Sequence, residues 1–487
     1  MLRRRTWAVL GISLCLLLLE IAYGWHRFAN DLATDEPDPP FTKSLRVNRR
    51  EILDADNAFP LLLQVVPALD MPKKEEGWGD EVVKGPAAGD GSGPLKVAEV
   101  WSKLGDGEAW DEVIAAEVLR RNARALELWE RAMAVPECQY PPVTFSFYIQ
   151  EITPQRDWVE VVKVVSVRAR LRARGGEWPA AYADLMSLVR FGHRMEGAKG
   201  PIPSYELGAI VKNFGCERIR HMLPEAALTP EELKALAGQL ASYPANEQGL
   251  ADSFRVEYEA AERTIDDLMA GKVVGRDFLM KDGCPDPDRA SRWAKTREFL
   301  VKPNRTKSIL AAACLEAAGN VSGFCNQARE TQITRLKLAC KKTPCQSRST
   351  MSHEMLCLLM ERLEGIATTK YEENVEIGAT RVLLAMKAFK LDKGRLPATL
   401  DELVPAYLDA VPLDDFDGKP LRYNPAKKII YSVGEDLKDD GGMTKKEYVD
   451  YQVKERGIDK YIGAEELKSY EDEYPGQGPD PSFPIDF

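Results

Sequence analysis

Histidine is the scarcest chemically useful residue in this chain, with four among 487 residues. That leaves little material for a histidine-rich metal centre or a nucleophile–histidine–acid triad. A surplus of positive charge is missing as well: 76 acidic residues face 66 basic ones, and the formal net charge is -10. This balance argues against any general nucleic-acid-coating role, because phosphate binding draws on clustered basic charge. The sequence contains no Gly-x-Ser-x-Gly elbow, no Gly-x-x-x-x-Gly-Lys phosphate loop and no Gly-x-Gly-x-x-Gly dinucleotide fingerprint. Hydrophobic residues at 44% and charged residues at 29% give a globular composition, which excludes wholesale disorder. The length suits about three domains of ~150 residues each.

One apolar run is long. It extends from Trp7 to Leu19, passes Glu20 and continues from Ile21 to Trp25. Residues 7–25 are enough for one membrane-spanning helix, which takes about 20 residues. Arg3, Arg4 and Arg5 precede the run; Asp31, Asp35, Glu36 and Asp38 follow it, and only Arg27 dilutes the contrast. The positive-inside bias then predicts a single-pass protein of a bacterial inner membrane. Its N-terminus is cytoplasmic, its bulk is periplasmic, and residues 7–25 contact the cell membrane. The rival is a cleaved signal peptide, because Ala22-Tyr23-Gly24 offers a small-x-small site; the protein would then be secreted. A lipoprotein site at Cys15 is disfavoured by the large Leu14 before it. Every one of these readings exports the remaining chain.

Nine cysteines are present, and setting Cys15 aside leaves an even number. An oxidising space permits disulfides, with Cys340–Cys345 and Cys314–Cys325 as local candidates. Cys340, Cys345, His353 and Cys357 also form a string of zinc-competent ligands. Its spacing matches no common zinc module, so disulfides or buried thiols are preferred.

The pattern predicts a mainly α fold: an N-terminal transmembrane helix, an irregular helical-hairpin domain and a small α+β C-terminal module. The divisions are an anchor or signal at 1–25, a stalk and linker with one short helix (Phe59 to Val66) at 26–94, a helical domain at 95–369, the α+β module at 370–445 and a charged tail at 446–487. Apolar spacing predicts helices over Trp110–Val135, Trp158–Ala173 and Trp178–Met195. The valine density of Trp158–Ala173 leaves a strand reading open. Gly176-Glu177-Trp178 with Ala181 and Asp184 resembles the turn and second helix of a tetratricopeptide unit, present once and without a 34-residue repeat. Thr229-Pro230-Glu231-Glu232 is a capping box opening a helix to about Tyr243, and Glu247–Met269 is a further amphipathic helix. Helices are also expected near 289–300, 305–318 and 326–341. Arg168, Arg170, Arg172 and Arg174 fan around a helix axis and are expected in solvent. His193 and His221 are expected to be structural. Tyr474–Phe487, rich in Pro and Gly, is expected to fray.

One stretch is specific. A helix from Val375 to Phe389 leads to Lys393-Gly394-Arg395-Leu396-Pro397, then Leu400, Leu403 and Pro405. Pro412-Leu413-Asp414-Asp415-Phe416-Asp417-Gly418-Lys419-Pro420-Leu421-Arg422-Tyr423 follows, then Tyr431-Ser432-Val433-Gly434-Glu435-Asp436 and Asp439-Asp440-Gly441-Gly442. Physically this is a helix, a short capped helix and a small antiparallel hairpin: Asp417-Gly418 turns into the strand around Leu421–Tyr423, and Lys427–Ser432 pairs back. The order, over residues 375–442, resembles the globular module of the major pseudopilins of type II secretion. The resemblance implies a calcium ion in the loop after the last strand, with Ser432, Asp436, Asp439 and Asp440 as its oxygen ligands. Calcium takes six to eight oxygens from flexible acidic loops, so the chemistry permits it. The chain departs from the pseudopilin pattern at its start, where Gly11 is followed by Ile12 to Leu16 with no glutamate. A filament subunit is therefore not expected.

These features point to an exported, membrane-anchored protein that acts through unknown protein partners and not as an enzyme, in an envelope- or secretion-associated role. Two alternatives remain: a component of a type II secretion pseudopilin system, and an exported hydrolase with an unrecognised carboxylate site.

Overall fold

The computed structural model describes residues 45–71, 96–97, 100–101, 104, 110–142, 155–270, 303–319, 321–323, 351–444, 447 and 480–487. The apolar run at 7–25, the linker after Met71, the helices expected near 289–300 and 326–341, Cys340 and Cys345 lie outside them. Among the described residues no helix is long and apolar enough to cross a membrane.

Ten α-helices and one three-stranded sheet are described. The helices are α1 (Phe59–Val65), α2 (Glu112–Arg121), α3 (Ala123–Ala134), α4 (Gln155–Arg174), α5 (Trp178–Glu196), α6 (Ile202–Met222), α7 (Pro230–Leu240), α8 (Glu247–Met269), α9 (Pro303–Gly319) and α10 (Met351–Lys393). The strands are β1 (Arg422–Asn424), β2 (Ile429–Tyr431) and β3 (Ser482–Pro484).

Local sequence explains most of these boundaries. The helix expected over Trp110–Val135 breaks at Asn122 into α2 and α3. The Asn122 amide donates to the carbonyls of Val118 and Asp70, and its Oδ1 accepts from the Asp70 N–H, so the side chain competes with helix continuation. Asp111 caps α2, accepting from the N–H groups of Val113 and Ile114 at 3.0 Å. The valine-rich segment is helix α4, which decides against the strand. Val161, Val162, Val164, Val165 and Val167 are all buried, so apolar residues surround most of the axis, as in a helix enclosed by others. Gly176, at φ 82°, makes the turn to α5 and closes the expected αα-hairpin. The Thr229–Glu232 capping box opens α7 with both reciprocal hydrogen bonds present.

Helices α5 and α6 cross at very short range. A Cβ on Gly192 would lie 2.3 Å from the Gly208 carbonyl oxygen, and one on Gly208 would lie 2.6 Å from that of Gly192. Glycine at both positions is what allows the backbones to meet.

The C-terminal module adopts the expected helix-and-hairpin order. Tyr423 pairs Ile430 across an antiparallel β1–β2 hairpin. The residues after Thr399 form only a short 3-10 turn, Leu400–Leu403. The expectation that Tyr474–Phe487 frays is corrected for its end. There β3 pairs antiparallel with β2, Ile430 against Phe483, and Phe483 and Ile485 are buried. The apolar Phe483 and Ile485 supply a reason to pack that the Pro and Gly content obscures.

α10 runs across the boundary expected at residue 370. One continuous apolar core joins α1–α7 and α10 to Phe416, Leu421, Ile430 and Phe483 of the module. A second core lies between α8 and α9 and includes Tyr258, Leu310 and Cys314. Cys138, Cys216 and Cys314 are free thiols; Cys325, the other half of the Cys314–Cys325 candidate, lies outside the described residues. Burial holds the Cys138 and Cys216 thiols up at about 12, which keeps them protonated and unreactive.

Candidate functional site

Three polar centres stand out against this apolar framework. The first is fully enclosed between α5, α6 and α10. Lys212 donates to Glu196 at 2.7 Å, to Glu373 in a shorter contact, and to the Pro244 carbonyl at 3.3 Å. All three charged side chains are 0% exposed. Glu196 also accepts from the Asn246 N–H at 3.1 Å. Burial, and then the nearby Glu373 charge, push the Glu196 carboxyl well above the usual carboxylate range. Burial works against the Lys212 ammonium, but the two carboxylates outweigh it and raise its pKa. The centre is therefore one cation between two carboxyl groups, with no solvent exposure to screen them. His193 lies beside it, 3.9 Å from Glu196. Burial and then the Lys212 charge lower the His193 imidazole to about 4, so it is neutral at physiological pH.

The second centre corrects the expectation for the four arginines. Residues four apart share a helix face, so they sort into two pairs and do not fan into solvent. Arg168 binds Asp184 through Nε at 3.1 Å and Nη2 at 2.7 Å, and Arg172 reaches the same carboxylate at 2.9 Å. Arg170 and Arg174 lie over the Trp110 ring at 5.2 and 5.1 Å.

The third centre is the acidic loop of the C-terminal module. Its hub is Asp414, fully buried at the start of the hairpin. Asp414 accepts from Ser432 Oγ at 2.8 Å, from the Val433 N–H at 2.9 Å and from Arg422 at 2.7 Å. Arg422 also binds Asp417 at 2.5 Å and Asp439 at 3.3 Å. Of the four residues expected to hold calcium, Ser432 is thus committed to Asp414. Asp436 turns to Lys438, 3.5 Å away, and to the Lys438 N–H. Asp439 accepts from Tyr431 at 3.1 Å. The Asp440 N–H donates at 2.9 Å to Asp480, a residue more than thirty positions onward that returns with β3. Asp480 also accepts from the Gly442 N–H at 2.9 Å. Its second oxygen, Oδ1, is buried and has no hydrogen-bond partner among the described residues. Burial, reinforced by the charges of Asp440 and Asp439, raises the Asp480 carboxyl above the usual range.

Among the described residues no group of three or more His, Cys, Asp or Glu side chains is placed to hold a metal ion. Two parts of this site escaped sequence reasoning. Asp414 was visible as part of an Asp-Asp-Phe-Asp-Gly turn, whose short acidic side chains cap backbone amides. Asp480 had no local signal, since its role depends on a strand that pairs at long range.

No family model matches the chain, and no curated protein or solved structure matches it either.

Proposed function

We propose that this chain is an exported, membrane-anchored helical protein that acts by interaction with protein partners and not by catalysis. The observation that carries the reading is how the buried charges are used. Lys212 is enclosed by Glu196 and Glu373, Arg168 and Arg172 clamp Asp184, and Arg422 joins Asp414 to Asp417. Each centre is an internal ion pair that fixes one helix or hairpin against another. A hydrolase built on the Glu196–Glu373 pair would need access that these 0% exposed side chains lack. Export rests on the N-terminal charge asymmetry, and the secretion-associated role rests on the resemblance of residues 375–442 to pseudopilins.

Alkaline phosphatase fused after Phe487 is expected to be active, and green fluorescent protein at the same place dark. Bright fluorescence without phosphatase activity would refute export. Copurification of pseudopilins with the full chain in mild detergent is the outcome expected for a secretion component.

Calcium belongs to the same proposal. Asp436, Asp439 and Asp440 are its candidates from the resemblance, and the orphaned Oδ1 of Asp480 is the oxygen that such an ion would satisfy. Ser432, the fourth candidate, donates its hydroxyl to Asp414 and accepts from the Gly434 N–H. A bound ion would supply a cross-link between the acidic loop and β3. At tenfold excess over its dissociation constant it would add about 1.4 kcal/mol to stability. Calcium titration followed by thermal melting, with and without Asp480→Asn, tests this. An equal response in both proteins would refute a site at Asp480.

A further inference from the structure

A cavity of about 440 Å³ opens between the end of α4, the end of α6, α10 and β3. It adjoins the Arg170–Arg174 half of the second centre, and its volume falls in the ~300–1,000 Å³ range of small-molecule sites. One side is cationic. Arg170 and Arg174 enter from α4, braced on Trp110, and Arg218 enters from α6. Arg218 is buried, Arg170 half-buried and Arg174 exposed, so positive charge runs from floor to rim. These groups repel one another. Burial, and then the charges of Arg174 and Arg218, depress the Arg170 guanidinium, with Glu225 opposing.

The other side is apolar: Leu223 of α6, Leu383 of α10 and Phe483 of β3. Arg220, which also lines the cavity, is taken by Glu376 at 2.6 Å and lies 5.0 Å from the Phe483 ring centre. Three carboxylates lie on the lining: Glu217, which faces His221 at 3.8 Å, Glu225 and Asp486. Of these, Glu225 partly offsets the positive charge around Arg170.

Guanidinium groups present planar forks of donors that match carboxylate and phosphate oxygens two at a time. An anion between them relieves their mutual repulsion in a partly desolvated space, and the apolar wall favours a ligand with a hydrocarbon or aromatic body. We infer that this cavity binds a small organic anion, a carboxylate or phosphate carried on an apolar body, with Arg170, Arg174 and Arg218 receiving the charge and Leu223, Leu383 and Phe483 the body.

The test uses the full chain in mild detergent and isothermal titration calorimetry against a detergent blank. The probes are 2-naphthoate and its neutral partner 2-naphthamide. Binding of 2-naphthoate at one site per chain is expected, with 2-naphthamide at least tenfold weaker. Arg174→Gln is expected to weaken 2-naphthoate about tenfold and leave 2-naphthamide and the melting temperature unchanged, because the side chain is exposed and packs on the rim. Arg218→Gln, checked for native circular dichroism, is expected to do the same to the probe. Absent binding of 2-naphthoate, equal affinity for both probes, or unchanged affinity in the folded Arg174→Gln variant would each overturn the inference.

Discussion

Replacing Lys212 by Met is the most demanding test of the interior described here. The side chains are similar in length, so packing volume changes little, while the one cation between Glu196 and Glu373 disappears. In the native protein Lys212 Nζ lies 2.7 Å from Glu196 and contacts Glu373, and no part of the three side chains reaches solvent. Removing one partner from a buried ionic cluster costs about 3–5 kcal/mol, because the remaining charge is left without compensation. Two carboxyl groups are stranded here, so the upper part of that range is expected at pH 7.

The sign of the pH dependence follows from the carboxyl groups. Glu196 already has a folded pKa above its unfolded value, so its contribution favours folding below about 4.5 and is lost as pH rises through the folded value. Without Lys212 that penalty grows. The stability gap between wild type and Lys212→Met should therefore be widest near pH 8 and narrow toward pH 4.5. Urea denaturation across that range measures it. Adding Glu196→Gln and Glu373→Gln to the variant should recover more than half of the loss. A loss below about 1 kcal/mol, or a gap that does not depend on pH, would refute the reading of this centre as a charge-compensated buried cluster.

Three further outcomes follow from other contacts. Gly192→Ala would place a Cβ 2.3 Å from the Gly208 carbonyl oxygen and 2.7 Å from the Lys212 Cβ, so thermal melting should show a loss of about 1–3 kcal/mol or more as α5 and α6 are forced apart. His193, lowered to about 4 by burial and Lys212, stabilises the fold fully above pH 6.5 and loses that contribution as pH falls toward 4; its imidazole resonance should titrate near 4, and a midpoint near 6.5 would show an open site. Asp414→Asn weakens the acceptor for Arg422 and Ser432, at a cost of about 2–3 kcal/mol; limited proteolysis should then cut within residues 414–442 while the helical core stays intact, and an unchanged digestion pattern would count against its role as hub.

Much of the architecture was legible because it is local. The Thr229–Glu232 capping box needs four consecutive residues, and it opens α7 as expected. The apolar rhythm of Glu247–Met269 marks α8. Asp417-Gly418 turns the chain into β1, closing the Leu413–Pro420 bridge just before that strand. Arg168 to Arg174 show where local reading stops. Their spacing gave a helix correctly, but which two meet Asp184 and which two meet Trp110 depends on what packs on each face.

The sequence by itself determined the helical class, the hairpin order of residues 375–442 and the charge asymmetry around residues 7–25, since each is written in neighbours a few positions apart. Only the tertiary structure decided which charges are buried. Lys212 meets a glutamate sixteen positions before it and another 161 positions after it, and Asp480 returns to the Asp440 amide across forty. A lysine or aspartate on a helix or loop carries the same sequence signal whether it faces water or a counter-charge. The difference is made by desolvation and by partners that the fold brings from far along the chain.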